Sequence, residues 1–165
     1  ASMAQWASAF TESAMGVSKT VGDLAGPCSF ALFMGISRMI YGKLSKKLDL
    51  VKTMLACGAL CVICYLMASL SSIPFIGLAG CALCGVSVGI MWPGLFSTAS
   101  VSIPRGGTTM FALLALAGDL GCSGGPTLAG LVSSYAGGSL KTGIFAAIIF
   151  PAVLLLGLIK SKKSE

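Results

Sequence analysis

Long apolar stretches separated by short polar ones make up most of the chain. No charged residue occurs in the 52 positions between Lys52 and Arg105. As a single helix this stretch would be about 78 Å long, far more than the ~30 Å core of a bilayer. It must therefore fold back once, and the Ser-Ser-Ile-Pro segment at 71–74 predicts the turn, because serine caps helices and proline suits a first helical turn. The pattern predicts two helices, at about 53–70 and 74–99.

Three further apolar stretches have the length of a membrane-spanning helix. They cover about 21–41, 110–135 and 142–159. Residues 1–18 are predicted to form the end of a truncated transmembrane helix and an outer loop, and the basic residues 160–165 a cytoplasmic tail. The sequence therefore predicts an all-α membrane protein, a polytopic helical bundle at 19–159 with five complete transmembrane helices plus the end of a sixth.

Composition supports the membrane interpretation. Hydrophobic residues make up 56% of the chain and charged residues 10%, whereas soluble domains average about 25% charged residues. Too few polar side chains are present to cover a soluble surface, so composition excludes disordered chains and disulfide scaffolds and nearly excludes soluble globular proteins. A lipid bilayer is the expected partner of the apolar surface.

The distribution of charge predicts an orientation. The chain has 11 basic and 5 acidic residues, and the basic ones cluster at the ends of the apolar stretches. Such clusters are typical of membrane topology signals and not of a nucleic-acid-binding face, so no nucleic acid is expected as a partner. Threading the predicted helices back and forth places nine basic residues on one side and two on the other. The positive-inside rule then makes the carboxy terminus cytoplasmic.

Two cysteine pairs, Cys61/Cys64 and Cys81/Cys84, have a spacing found in metal and redox sites. Both pairs lie inside predicted membrane helices without polar groups to support a metal, so we interpret them as small packing residues. Histidine is absent from the chain. We therefore predict no metal site and no cofactor, and keep a small integral-membrane redox protein that uses these pairs as an alternative.

Two acidic residues are candidates for binding a substrate or a proton. Asp119 lies near the middle of the predicted helix 110–135, where a carboxyl group costs several kcal/mol unless it is paired, protonated or wetted. It is expected to face the bundle interior or an aqueous cavity, either as a substrate- or proton-binding group or as a carboxyl that ties two helices together for packing. Asp23 lies near the end of its helix and is either a second such group or an ordinary interfacial acid.

An aromatic and an amide side chain complete this set. Trp92 precedes a Pro-Gly pair that predicts a kink or hinge in the helix 74–99. Its ring would stack on a sugar or aromatic ligand, or else anchor or pack the helix. Gln5, in the truncated first segment, is a polar residue of the kind that lines a cavity. The predicted substrate- or proton-binding residues are therefore Asp119, Trp92, Asp23 and Gln5.

The most specific motif lies at the end of the first complete helix and in the basic loop that follows. An arginine is followed four residues later by a glycine and then by several lysines. The matching residues are Gly35, Arg38, Gly42, Lys43, Ser45 and Lys47. This motif resembles the loop between the eighth and ninth helices of the major facilitator superfamily. Lys46 stands where members of that family commonly have an acidic residue.

The resemblance covers essentially the whole chain. Residues 92–96 resemble the tenth helix of fucose-permease-like members, and residues 117–126 resemble their eleventh helix. The resemblance implies the C-terminal half of a major-facilitator fold, with the missing N-terminal half of the same protein as its partner. It also implies a fragment of a secondary active transporter and not an enzyme, located in a bacterial-type plasma membrane.

Transporters of this kind move a small solute by alternating access and draw on a proton or ion gradient. The resemblance implies a sugar-like or other polar metabolite as the small-molecule substrate, with Asp119 and Trp92 facing the central cavity. A drug or metabolite efflux carrier of the same superfamily is the alternative. The implied cytoplasmic gate contains Gly35, Arg38, Gly42 and Lys43.

Overall fold

The computed structural model describes residues 6–9, 12, 16, 18–44, 49–71 and 73–163, and every regular element in these ranges is helical. This confirms the all-α fold class. A short helical segment at 6–9 comes first. It is followed by α1 (Lys19–Asp23), a π-helical turn (Leu24–Cys28), α2 (Ser29–Leu44), α3 (Leu50–Leu70), α4 (Pro74–Ser102), α5 (Gly107–Tyr135), α6 (Leu140–Ala146) and α7 (Ile149–Lys163).

Four stretches of the described residues are long and apolar enough to cross a bilayer. They are Thr20–Leu44, Leu50–Leu70, Phe75–Ser102 and Leu140–Lys160. α5 has 29 residues but is not among these four. Its central turns contain Asp119 and several glycine, serine and threonine residues, which lower its mean hydropathy. The sequence predicts five crossing helices, so the crossing by α5 remains a prediction.

Local sequence explains several helix boundaries. The Asp49 carboxylate caps α3 by accepting a hydrogen bond from the backbone N–H of Lys52 at 3.2 Å. α4 opens with a proline, whose missing N–H has no helical partner at that position. The predicted helix 142–159 is divided into α6 and α7, because Pro151 has no N–H to donate to the carbonyl of Ala147 four residues earlier.

The predicted helix 21–41 also departs from a regular α-helix. The π-helical turn surrounds Pro27, which cannot donate a backbone hydrogen bond. The Ser29 hydroxyl donates to the carbonyl of Ala25, and it lies 2.9 Å from that of Gly26. The hydroxyl thus adds a donor where the backbone ladder is disturbed.

α4 is at the centre of the packing, with α2 and α3 against it. α2 approaches closely because two glycines of α4 face it. A Cβ atom at Gly85 would overlap the backbone carbonyl of Phe30, and one at Gly89 would lie 2.9 Å from the carbonyl oxygen of Met34. These glycines therefore form a small-xxx-small contact within the bundle. α3 also packs on α6 and α7, and α6 packs on α5.

The helical segment at residues 6–9 connects α5 to the beginning of the bundle. The Nε1 atom of Trp6 donates a hydrogen bond to the carbonyl of Pro126 in α5 at 3.1 Å. On the other side, a Cβ atom at Gly26 would lie 2.8 Å from the backbone of Ala7. The segment thus lies between α5 and the π-helical turn.

Candidate functional site

A cavity of about 320 Å³ lies between α2 and α4. The residues that line it are Arg38, Tyr41, Gly42, Gly89, Ile90, Trp92 and Pro93. The structure thus brings two residues of the predicted gate, Arg38 and Gly42, together with Trp92 of the predicted substrate-binding set. Apart from the Arg38 guanidinium, the Tyr41 hydroxyl and the Trp92 indole N–H, the lining side chains are apolar, so the cavity suits a ligand with an apolar body.

Arg38 contacts α4 directly. Its Nε atom donates a hydrogen bond to the carbonyl of Gly89 at 3.1 Å. The neighbouring Ser37 is buried and donates from its hydroxyl to the carbonyl of Val86 at 2.8 Å. Two successive residues of α2 are therefore bonded to one turn of α4, while much of the Arg38 side chain stays exposed.

The other gate residues lie along α2 on surface that the described residues leave uncovered. Gly35, Gly42 and Lys43 are exposed, and a Cβ atom at either glycine would have no neighbour within 4 Å. This part of α2 is therefore accessible to water, lipid or another polypeptide. The basic loop residues Ser45, Lys46 and Lys47 lie outside the described residues.

Trp92 begins an aromatic row formed by Trp92, Phe96 and Phe111. The Trp92 and Phe96 rings lie 4.8 Å apart at 54°, and Phe96 stacks on Phe111 of α5 at 5.5 Å and 6°. The Trp92 indole also covers Gly118, where a Cβ atom would lie 2.5 Å from the ring. Because 44% of Trp92 is exposed, part of the ring remains accessible to a ligand.

Asp119 follows Gly118 and is exposed on the central turns of α5. Among the described residues, none donates a hydrogen bond to its carboxylate or forms an ion pair with it. The Ser123 hydroxyl donates to the backbone carbonyl of Asp119 at 2.9 Å, and the Thr127 hydroxyl to that of Ser123 at 2.7 Å. The nearby hydroxyls thus bond the backbone of their own helix and not the Asp119 carboxylate.

The described residues do not bring Asp23 to the cavity between α2 and α4. Asp23 is the last residue of α1, is exposed, and is not among the lining residues of the cavity between α2 and α4. Its roles as a binding group or an interfacial acid both stay open. Gln5 lies outside the described residues.

The cysteine pairs are buried where α3 meets α4. Cys61 and Cys84 come together, with their sulfur atoms 3.8 Å apart, and both are free thiols. Their neighbours in this core include Cys64 and Cys81. In the described part of the chain, no three metal-ligating side chains are grouped so as to hold an ion. The arrangement is that of small side chains packed between two helices.

The sequence matches the Major Facilitator Superfamily over residues 2–165, nearly the full length of the chain. The chain belongs to the Major Facilitator Superfamily. No curated protein and no solved structure matches it significantly. Membership in the Major Facilitator Superfamily, a family of transporters, together with the four apolar helices makes this an integral membrane protein. The fucose-permease-like subtype stays a prediction.

Several residues near the cavity of this Major Facilitator Superfamily protein were not found from the sequence. Phe96 follows Trp92 by four residues, and this spacing already places the two rings on one face of a helix. Phe111 lies in α5 and stacks on Phe96 of α4. Ser37 lies in α2 and bonds the carbonyl of Val86 in α4. No periodicity within one helix indicates such contacts, because they depend on how the helices are arranged in space.

Proposed function

We propose that this Major Facilitator Superfamily protein takes part in the secondary active transport of a small polar solute, either a sugar-like compound or another polar metabolite. The solute moves by alternating access, and its movement is coupled to protons or another ion. In such carriers two helical halves rock about a site between them. The function is translocation, with no covalent change of the solute, and so not that of an enzyme.

The observation that carries the proposal is the Asp119 carboxylate on the central turns of α5, which has no hydrogen-bond or ion-pair partner among the described residues. An ionisable group among apolar helices is costly to keep without a partner, and in membrane proteins it usually marks a substrate, ion or proton pathway. The Trp92 ring covers Gly118, the residue that directly precedes Asp119 in α5. A carboxylate and a ring of this kind are suited to a polar solute with an apolar face.

The uncovered surfaces of α2 and α5 support the proposal that another polypeptide segment packs against these helices. A Cβ atom at Gly35 in α2, or at Gly121 or Gly124 in α5, would have no neighbour within 4 Å. In the proposal these surfaces face the N-terminal half of the same carrier, with the solute between the halves. The excess of basic residues on one side orients the carboxy terminus toward the cytoplasm of a bacterial-type plasma membrane.

One observation favours a second candidate, an efflux carrier for drug-like or metabolite molecules. The cavity beside Trp92 and Tyr41 has mostly apolar walls, which suit an aromatic or aliphatic body better than a sugar. A polar solute would use Asp119, whereas an apolar one would depend on Trp92. The two candidates therefore differ in which substitution abolishes transport.

The test is uptake into proteoliposomes by the full-length carrier, with a panel of sugars, nucleosides and aromatic drugs. Asp119→Asn, assayed between roughly pH 5 and 8, should abolish uptake of the identified solute, because the amide lacks the negative charge of the carboxylate and has one acceptor oxygen in place of two. Ser123→Ala is the matched control, because its hydroxyl bonds the backbone of its own helix; it should transport at close to the wild-type rate. Unchanged uptake by Asp119→Asn across this range would refute the role of the carboxylate.

A further inference from the structure

The middle of α4 contains a backbone carbonyl that has lost its normal helical partner. In an α-helix the carbonyl of each residue accepts a hydrogen bond from the N–H four residues later. For Gly89 that residue is Pro93, which lies inside α4 and has no N–H to donate. In a membrane, where little water is present to take the place of the missing donor, a carbonyl of this kind needs another donor.

Arg38 supplies that donor from a different helix. Its Nε atom lies 3.1 Å from the oxygen of Gly89, the acceptor that Pro93 leaves without its usual bond. The approach is possible because Gly89 has no side chain: a Cβ atom there would lie 3.1 Å from the side chain of Ser37. Arg38 of the predicted gate therefore donates a hydrogen bond at the position in α4 where Pro93 removes one.

We propose that Arg38 is a positioning residue that supplies the hydrogen bond missing at Pro93 in α4. Its bond to Gly89 fixes the course of α4 at this point, and with it the orientation of Trp92, three residues further along the helix. Release of the bond lets α4 bend into the adjacent cavity, which Arg38, Gly89 and Pro93 all line. The role of this bond in the transport cycle rests on the proposed function; the bond itself does not.

The proposal differs from a purely electrostatic role for the basic motif. If positive charge alone mattered, Lys43, five residues further along α2, would serve in the same way, and the identity of residue 93 would be irrelevant. If the bond to Gly89 matters, the need for Arg38 depends on Pro93. Replacing Pro93 by alanine restores the missing N–H and gives Gly89 an ordinary helical partner.

The experiment is a double-mutant cycle with Arg38→Met and Pro93→Ala in the full-length carrier. Arg38→Met alone should lower the uptake rate about tenfold or more, because it leaves the Gly89 carbonyl unpaired. In the Pro93→Ala background the same change should cost less than about twofold. Lys43→Met, the matched control, removes a charge of the same motif, and its effect should be equal in both backgrounds. An equal loss for Arg38→Met with proline and with alanine at position 93 would overturn the proposal.

A spectroscopic arm covers the case in which Pro93→Ala by itself stops transport. The chain has two tryptophans, so replacing Trp6 and every tryptophan in the other half of the carrier by phenylalanine leaves Trp92 as the single tryptophan. Arg38→Met should shift the Trp92 emission maximum when residue 93 is proline and leave it unchanged when residue 93 is alanine. A shift of equal size in both backgrounds would overturn the proposal. This arm needs no solute, so it still tests the bond if the proposed transport function fails.

Discussion

The contact between α2 and α4 can be tested by adding a single methyl group to Gly85. A Cβ atom there would overlap the carbonyl oxygen of Phe30 and lie 3.0 Å from its carbonyl carbon and 3.2 Å from its Cα. These are backbone atoms of another helix, and no side-chain rotation can move them away. Gly85→Ala must therefore push α2 away from α4.

The expected cost combines three effects. Overpacking of this kind costs about 1–3 kcal/mol, and alanine recovers about 1 kcal/mol of helix propensity relative to glycine. Moving α2 also lengthens the bonds from Ser37 and Arg38 to α4, which are 2.8 and 3.1 Å long and contribute about 1 kcal/mol each. Gly85→Ala should therefore lower the free energy of unfolding by about 2 kcal/mol.

The assay is unfolding of the purified protein in detergent, followed by circular dichroism. Gly124→Ala in α5 is the matched control, because it is also a glycine inside a long helix but has open space around its Cβ position. The control should be as stable as the wild type or slightly more so. Equal stability of the Gly85→Ala and Gly124→Ala variants would refute the reasoning about this helix contact.

Two further predictions concern the start of α3 and the buried cysteines. The pKa of Asp49 lies below its ordinary value of 3.8, because its carboxylate accepts a hydrogen bond from the Lys52 backbone N–H and lies 3.2 Å from the Lys52 ammonium. The Lys52 amide should therefore be protected from hydrogen exchange at neutral pH, relative to Asp49→Ala. This protection should disappear as the pH falls through the lowered pKa of Asp49. Asp49→Asn, which accepts the same bond without titrating, should show no such change, and protection that persists in acid would contradict this. For the cysteines, Cys61→Ala with Cys64→Ala should leave uptake close to that of the wild type, since both thiols pack in an apolar core; joint loss of a bound metal and of uptake would contradict the packing role.

The helices could largely be predicted from the sequence because one physical requirement fixes them. Apolar stretches of this length in lipid must satisfy their own backbone hydrogen bonds, and the α-helix is the local way to do so. The turn before Pro74 could also be predicted, because proline suits a first helical turn. The π-helical turn at Leu24–Cys28 and the break before Ile149 were missed, although each lies at a proline. A helix can bend around a proline or stop at it, and packing decides which.

The sequence singled out candidate site residues but not how they are arranged in space. Asp119 stood out because a carboxylate among apolar residues is expensive, and that cost is visible in a sequence. Trp92 and Arg38 were assigned to different groups, and the structure places both at one cavity. The partner of Arg38 is a backbone carbonyl in a helix about 50 positions away along the chain. A backbone acceptor has no sequence signature except the proline four residues after it.

In the proposed carrier, the central turns of α5 face a water-filled pathway and not lipid. Cys122 is exposed beside Asp119, so it can report on this directly once Cys28→Ala removes the other exposed thiol of this chain and the cysteines of the other half are replaced by alanine. A membrane-impermeant, charged thiol reagent should modify Cys122 readily in sealed proteoliposomes, while a cysteine placed at Val153, exposed on the apolar helix α7, should resist it. Modification of Cys122 by apolar, membrane-permeant reagents but not by the charged one would contradict the account.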